Sequence, residues 1–574
     1  MCSHRRTVRD AGRFLSAQLA RKVRGMPKRA FCAVQNVLPL IKPCRASSIV
    51  MGALLLWGYL LYQMLSSSHN KVAWHSNAER CPSVPARLLW APRVVLHGND
   101  GSAAIHINED GRIAASWPCT RDEAEDYAGI HSLLFEPHVV GDVISPGLVD
   151  AAAHLAEWLE PPGRSYEGFS SGTQAAAAGG VTTVIDLPAH ARPLTTSGTQ
   201  LRRKLTAARG TLHVDVGFWA AALPENLHAE GAESLEGVLE SGALGFAVVV
   251  AASPYVEQPS VVAGTRALTL EELERVLEAA ALSDKPVLVH AEVVSDDEAG
   301  LHAGADGMDY ASWLATRPMR WEEGAVRALL AIATRPRRGL LRPRIHVLRL
   351  TDAGCTPLLR GAALREASAD EEASTAEGIA VSRVTASSCP HYAMFDAESV
   401  VRGDTRLKVA PPLRHAANRR KLWQALLDGS VNLLVSDHTP APLEQRAGSF
   451  FDAFTGISGL QFTLPATWTE GREHGASLYN LSRWLSEEPA KLSGIWRRKG
   501  SIEAGKDADL VVWRPDARTE TAAVFHRQPG SPYEDLPLMG RTLETIVRGR
   551  TAFRDGAPPL AACGQVILRP SPLA

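Results

Sequence analysis

What most constrains the fold is a series of eight short apolar runs, each rich in Val, Ile and Leu, separated by stretches of helical character. The runs cover residues 143–150, 181–188, 213–223, 243–250, 285–292, 344–352, 381–390 and 431–438. A strand buried on both faces reads as such a run, and parallel strands need a crossover between them. The spacers supply it, as in GTQAAAAGG and LTLEELERVLEAAALS. Eight strand–helix units are the count of a (β/α)8 barrel. The barrel is assigned to residues 142–492.

The flanks have a different texture. RLLWAPRVVLHGNDGSAAIHINEDGRIAAS alternates short β-rich runs with Asn-Asp-Gly and Glu-Asp-Gly, which predicts hairpins turning at those tripeptides. After the barrel, GSIEAGKDADLVVWRP and LETIVRGRTAFRDG return to strand patterning. Residues 86–141 and 493–574 are therefore expected to meet as a small β-sandwich built from both ends of the globular part. Upstream, residues 1–48 carry eleven Lys or Arg against the single acid Asp10. Residues 49–65, IVMGALLLWGYLLYQML, are apolar and near the lower length limit for a spanning helix, with 66–85 as a linker. The basic flank predicts a single-pass membrane anchor with a cytosolic N-terminus. The alternative is a mitochondrial presequence followed by an inner-membrane anchor.

A net charge of -1 offers no electrostatic reason for a nucleic-acid partner. The eight cysteines lack CxxC spacing, which argues against a thiolate zinc site or a dense disulfide framework. The sequon Asn480-Leu481-Ser482 lies in a helix-like stretch. Lys408 reads as a loop or helix-start cation.

The strand ends carry a resemblance. PGLVD…H, EGFSSGTQAAAAGGVTTVIDLP, VLVHAE, CPHY, LKVAPPLR, ALLDGSVNLLVSDHTP and GISGLQFTLP are together similar to the allantoinase branch of the cyclic amidohydrolases, a family that includes dihydroorotase and dihydropyrimidinase. That resemblance implies hydrolytic opening of the allantoin ring to allantoate. It also implies a binuclear metal centre held by an HxH pair on strand one, a carboxylated lysine on strand four, histidines on strands five and six, and an aspartate on strand eight. Two divalent cations lower the pKa of a shared water from about 15.7 toward neutrality and polarise the amide carbonyl.

Mapped onto this chain, half of the set is missing. Strand one reads Asp150-Ala151-Ala152-Ala153-His154, so His154 is kept and Ala152 replaces the first histidine. Ala247 stands where the lysine is implied, His290 is kept on strand five, Arg349 replaces the strand-six histidine, and Asp437 is kept on strand eight. Asp437 is the implied proton carrier and the candidate catalytic residue. The resemblance implies His190, His391 and Ser458 as residues lining the substrate site.

Three of six ligands leave a binuclear centre without its bridge. His154, His290 and Asp437 match a mononuclear two-histidine, one-carboxylate set for zinc or another divalent metal, and His391 is a further replacement ligand to consider. Arg349 is permanently charged and cannot be a ligand; it is expected to pair with Asp437. Three readings stay open: a catalytically impaired pseudoenzyme that binds a small cyclic ureide, an active mononuclear amidohydrolase on allantoin, dihydroorotate or a related cyclic amide, and a membrane-tethered scaffold for an active homologue. The resemblance also implies homo-oligomers or association with such a homologue, since family members without metal ligands serve as assembly partners.

Overall fold

The computed structural model describes residues 81, 83–96, 98–159, 165–250, 267–293, 305–333, 335, 342–369, 383–557 and 560–569. The expected membrane helix at 49–65 lies outside the described residues. Among the described residues no helix is long and apolar enough to cross a membrane. The single-pass membrane localisation expected from the sequence, with its mitochondrial inner-membrane alternative, is corrected accordingly.

The barrel strands are β6 (Leu148–Ala153), β7 (Val181–Asp186), β8 (Asp215–Phe218), β9 (Phe246–Val250), β10 (Pro286–Ala291), β11 (Arg344–Leu348), β12 (Val384–Ser388) and β13 (Leu433–Leu434). Ladders join β6 to β8 and β9 to β13, all parallel. The first gap is bridged by Ala220 N donating to Gly245 O at 2.9 Å and Ala247 N donating to Ala220 O at 2.8 Å. The ring closes where Asp437 N donates to Ala152 O at 3.0 Å and His154 N donates to His438 O at 2.8 Å.

Helices wrap the ring for the reason their sequences give. In Leu270–Ala281, Leu273, Val276, Leu277 and Ala280 fall on one buried face at helical spacing. Burying each Leu or Val contributes about 1.5–3 kcal/mol. Thr269 and Glu272 start the helix with a capping box, Thr269 N donating to Glu272 Oε2 at 2.9 Å and Glu272 N to Thr269 Oγ1 at 3.1 Å.

Both ends of the globular part meet, their eight strands joined in one hydrogen-bonded sheet. β1 (Arg87–Leu96), β2 (Asn99–Ile107), β3 (Ile113–Pro118), β4 (Leu134–Pro137) and β5 (Val143–Pro146) join β14 (Leu510–Arg518), β15 (Met539–Val547) and β16 (Arg550–Arg554). One sheet face covers an apolar cluster including Leu89, Ile105, Ile113, Ile144, Leu510 and Ile546. The Asn99–Gly101 tripeptide is strand, Leu96 pairing with Asn99, so the first turn precedes it. The second turn is where the sequence puts it. Gly111 has φ +75°, and a Cβ there would lie 2.1 Å from Arg548 O, so only glycine fits.

Sheet and barrel are locked by a buried ionic network. Lys499 reaches Asp509 at 2.6 Å, Asp215 on β8 at 2.7 Å and Asp507 at 3.0 Å, while Arg548 also pairs with Asp215. The C-terminal segment then lies along β8, Gly564 N donating to Leu212 O at 2.7 Å and Ile567 N to Val216 O at 2.8 Å. A disulfide joins Cys563 to Cys81 across 482 positions. Lys408, in the loop after Leu407, is a buried clamp: its ammonium donates to Phe451 O at 3.3 Å and Ala453 O at 2.5 Å, 4.7 Å from the Trp313 ring centroid. Asn480 of the sequon serves a capping box, accepting from Ser477 N at 2.9 Å.

Candidate functional site

The C-terminal strand ends bring together His154, His190, Cys389, His391, Arg349 and Asp437. After β6 the chain runs directly into His154, whose Nδ1 is 3.1 Å from Ala189 O and whose Nε2 is 3.9 Å from Asp437 Oδ1. The His190 ring meets the His154 ring edge-on at 4.8 Å. Beneath them Asp150 ties strand one to strand eight, accepting from Ala152 N at 3.1 Å and Ser436 N at 3.3 Å. Burial pushes the Asp150 carboxyl up to about 6.

The centre of the site is an ion pair. Arg349 Nη1 donates to Asp437 Oδ1 at 2.9 Å and Oδ2 at 3.2 Å. Both residues lie just past strand ends in left-handed backbone, φ +62° for Arg349 and +45° for Asp437. Non-glycine residues there cost on the order of 1–3 kcal/mol each and cluster at functional sites. Burial holds the Asp437 carboxyl above the usual range despite the guanidinium beside it. Burial, His190 and Arg349 together hold His154 well below the usual imidazole range.

His290 is bonded through one ring nitrogen, and its Nδ1 is buried without a hydrogen-bond partner. Its Nε2 is hydrogen-bonded to Glu292 Oε2 at 2.8 Å, and Glu292 is in turn paired with the Arg317 guanidinium. Burial raises the Glu292 carboxyl, but Arg317 and His290 outweigh it and hold the group ionised. Ala152 is buried and Ala247 half-buried, each ending in a methyl group. Ser458 is buried with its hydroxyl unpartnered, and no hydrogen bond or ring contact joins it to the other candidates among the described residues.

Sequence reasoning missed Cys389 as a member of this site. The thiol of Cys389, a ring nitrogen of His391 and a carboxylate oxygen of Asp437 all lie within 4.8 Å of one another. Both His391 ring nitrogens are buried without a hydrogen-bond partner. Burial and then Arg349 push that imidazole down to about 3, so it is neutral. Its motif, CPHY, was visible; the fold-back that sets it against strand eight was not.

An eight-stranded parallel barrel with this constellation at its C-terminal mouth is a hydrolase-type barrel, in which active sites sit at that end. The chain belongs to the amidohydrolase family, whose profile matches residues 143–551. It is 38% identical over 436 residues to an allantoinase of Arabidopsis thaliana, covering 74% of this chain and 81% of that protein. With an allantoinase of Streptomyces avermitilis it shares 39% over 472 residues, 82% and 96% of the two chains. Among solved structures, the L-hydantoinase (dihydropyrimidinase) from Arthrobacter aurescens superposes with a TM-score of 0.71 at 26% identity, covering 84% of this chain and all of that one. The chain is thus an allantoinase-like cyclic amidohydrolase by family, and the family is generally divalent-metal dependent.

Proposed function

We propose that this chain has kept the allantoinase-like barrel, and with it a site for a small cyclic ureide, but no longer opens the ring by paired-metal hydrolysis. The observation that carries this reading is the Arg349–Asp437 ion pair. A two-metal site holds its ions about 3.5–4 Å apart. Here two of the implied ligands are methyl groups, Ala152 and Ala247, and a third is a guanidinium bonded to the aspartate that would serve both metal and proton. The residues present do not fit two divalent cations. Against a single ion on His154, His290 and Asp437 stands their spacing: among the described residues they are not one of the sets whose ligand atoms all lie within 4.8 Å of one another.

What remains is a cluster of rings at the barrel mouth that can orient a flat ligand. His190 lies between His154 and Phe454, edge-on to the first and tilted against the second, its centroid 5.2 Å from the phenyl ring. A second role, as an assembly partner of an active homologue, is favoured by exposed Ile130, Leu134, Val139 and Val140 beside the edge strand β4. The test is allantoin hydrolysis by the full chain supplied with zinc, manganese or cobalt, alongside calorimetric titration of allantoin. Binding without turnover is expected. Turnover abolished by a chelator would overturn the reading.

A further inference from the structure

We infer that Cys389, His391 and Asp437 form a new mononuclear site for a thiophilic divalent cation of the zinc class. The inference rests on the reading that the paired-metal centre is gone, because it assigns Asp437 to one ion instead of two.

Three observations converge on it. The sulfur, nitrogen and oxygen already lie within 4.8 Å of one another on buried side chains. Zinc holds such ligands at about 2.0–2.3 Å, hence roughly 3.5 Å apart, so small side-chain rotations close the set. His391 supplies the second, independent pointer. A neutral imidazole carries one donor and one acceptor, and here neither nitrogen is satisfied although the residue is fully buried. Buried polar atoms ordinarily have partners, and an orphan of this kind marks an absent ion or ligand. Thiolate, imidazole and carboxylate together select zinc-like ions over magnesium or calcium, which prefer oxygen alone.

Arg349 does not block the site; it takes the outer position. A carboxylate offers about four lone-pair positions, and Arg349 Nη1 uses one on each Asp437 oxygen. Hydrogen bonds to ligating carboxylates are the usual support of a metal site. Charge favours occupancy as well. Asp150 lies within electrostatic reach of Cys389, and Glu292 is already neutralised by Arg317. With a dication bound and the Cys389 proton released to solvent, Arg349 and the ion balance Asp437, Asp150 and the thiolate. Without the ion, Asp150 has no counter-charge. His154 and His290 lie outside this set among the described residues.

The experiment is a cobalt titration of the metal-stripped full chain, followed by its near-ultraviolet thiolate-to-cobalt charge-transfer band, with allantoin turnover measured on the same samples. One equivalent with that band and no turnover is the expected result. Cys389→Ser should abolish the band, and His391→Ala should weaken binding by at least about 100-fold, whereas His154→Asn and His290→Asn should leave the band in place. The wild type alone is decisive if a variant fails to fold. No bound cobalt, or one equivalent without the thiolate band, overturns this inference and leaves the loss of paired-metal chemistry standing. Two equivalents with turnover overturn both.

Discussion

Removing Arg349 should expose how much of this fold depends on the ion pair at its centre. The side chains of Arg349 and Asp437 are 16% and 6% exposed, and both carboxylate oxygens accept from the same guanidinium nitrogen. Arg349→Ala leaves Asp437 buried, with a neutral imidazole 3.9 Å away as its nearest alternative partner. Breaking one side of a buried pair costs about 3–5 kcal/mol. The carboxylate can reduce that cost only by taking up a proton. Its pKa already lies above the unfolded value because burial outweighs Arg349, and losing the guanidinium raises it further. A carboxyl whose folded pKa exceeds its unfolded one makes stability fall as pH rises through the interval between them. The deficit of Arg349→Ala should therefore be near its maximum at pH 8 and smaller at pH 5. Urea midpoints at the two pH values measure it, and the double variant Arg349→Met/Asp437→Leu should recover most of the loss. A deficit near zero at pH 8, or one larger at pH 5, refutes the pairing as a stabilising element.

Other perturbations probe the frame around the site. Cys563→Ser should lower stability by about 2–5 kcal/mol, short of the ~6 kcal/mol that chain entropy alone gives for the 482-residue separation; an unchanged melting temperature under non-reducing conditions counts against the cross-link. Lys499→Met leaves Asp215, Asp507 and Asp509 facing one another with Arg548 on Asp215 and Arg498 on Asp507 as the remaining cations, and should cost about 3–5 kcal/mol by chemical denaturation. With its carboxyl moved from 3.8 to about 6, Asp150 should make the wild type lose about 2 kcal/mol relative to Asp150→Asn as pH rises from 4 to 7. Parallel pH profiles for the two proteins would contradict that.

Much of the barrel was legible because its strands are continuous apolar runs, a pattern that depends only on local sequence. Strand eight shows the limit: the apolar run at 431–438 is long, yet only Leu433–Leu434 form ladder, because the chain turns off at Asp437 to present its side chain. The missing ligands were legible from motif register, since Ala152, Ala247 and Arg349 occupy fixed offsets from conspicuous neighbours. Partnerships across the fold were not. Nothing near Cys81 points to Cys563, and nothing in VHAE says that His290 turns to its own neighbour Glu292. Lys408 read only as a loop or helix-start cation because composition is silent about the backbone carbonyls that its ammonium meets. That the two ends share one hydrogen-bonded sheet was not legible either, because β5 pairs with both β1 and β14, a connection set by geometry rather than by alternation.

The three replaced ligands behave as one change. Without cations, a buried aspartate at strand eight would stand uncompensated among neutral imidazoles. Arg349 supplies part of the missing positive charge, and with it in place the charge balance leaves room for one dication beside Asp437 but not for two. Restoring ligand atoms alone should therefore fail to restore the pair of ions. Ala152→His with Ala247→Lys returns two side chains but leaves the guanidinium on Asp437; this double variant should bind no more metal than the wild type. Adding Arg349→His removes the competing charge and supplies the remaining nitrogen. Given bicarbonate to carboxylate the new lysine, the triple variant should bind two ions per chain and gain allantoin turnover. Metal content per chain by plasma mass spectrometry separates the cases. Two ions in the double variant would show that Arg349 does not govern occupancy, and the vacancy at Ala152 and Ala247 would then be the whole cause.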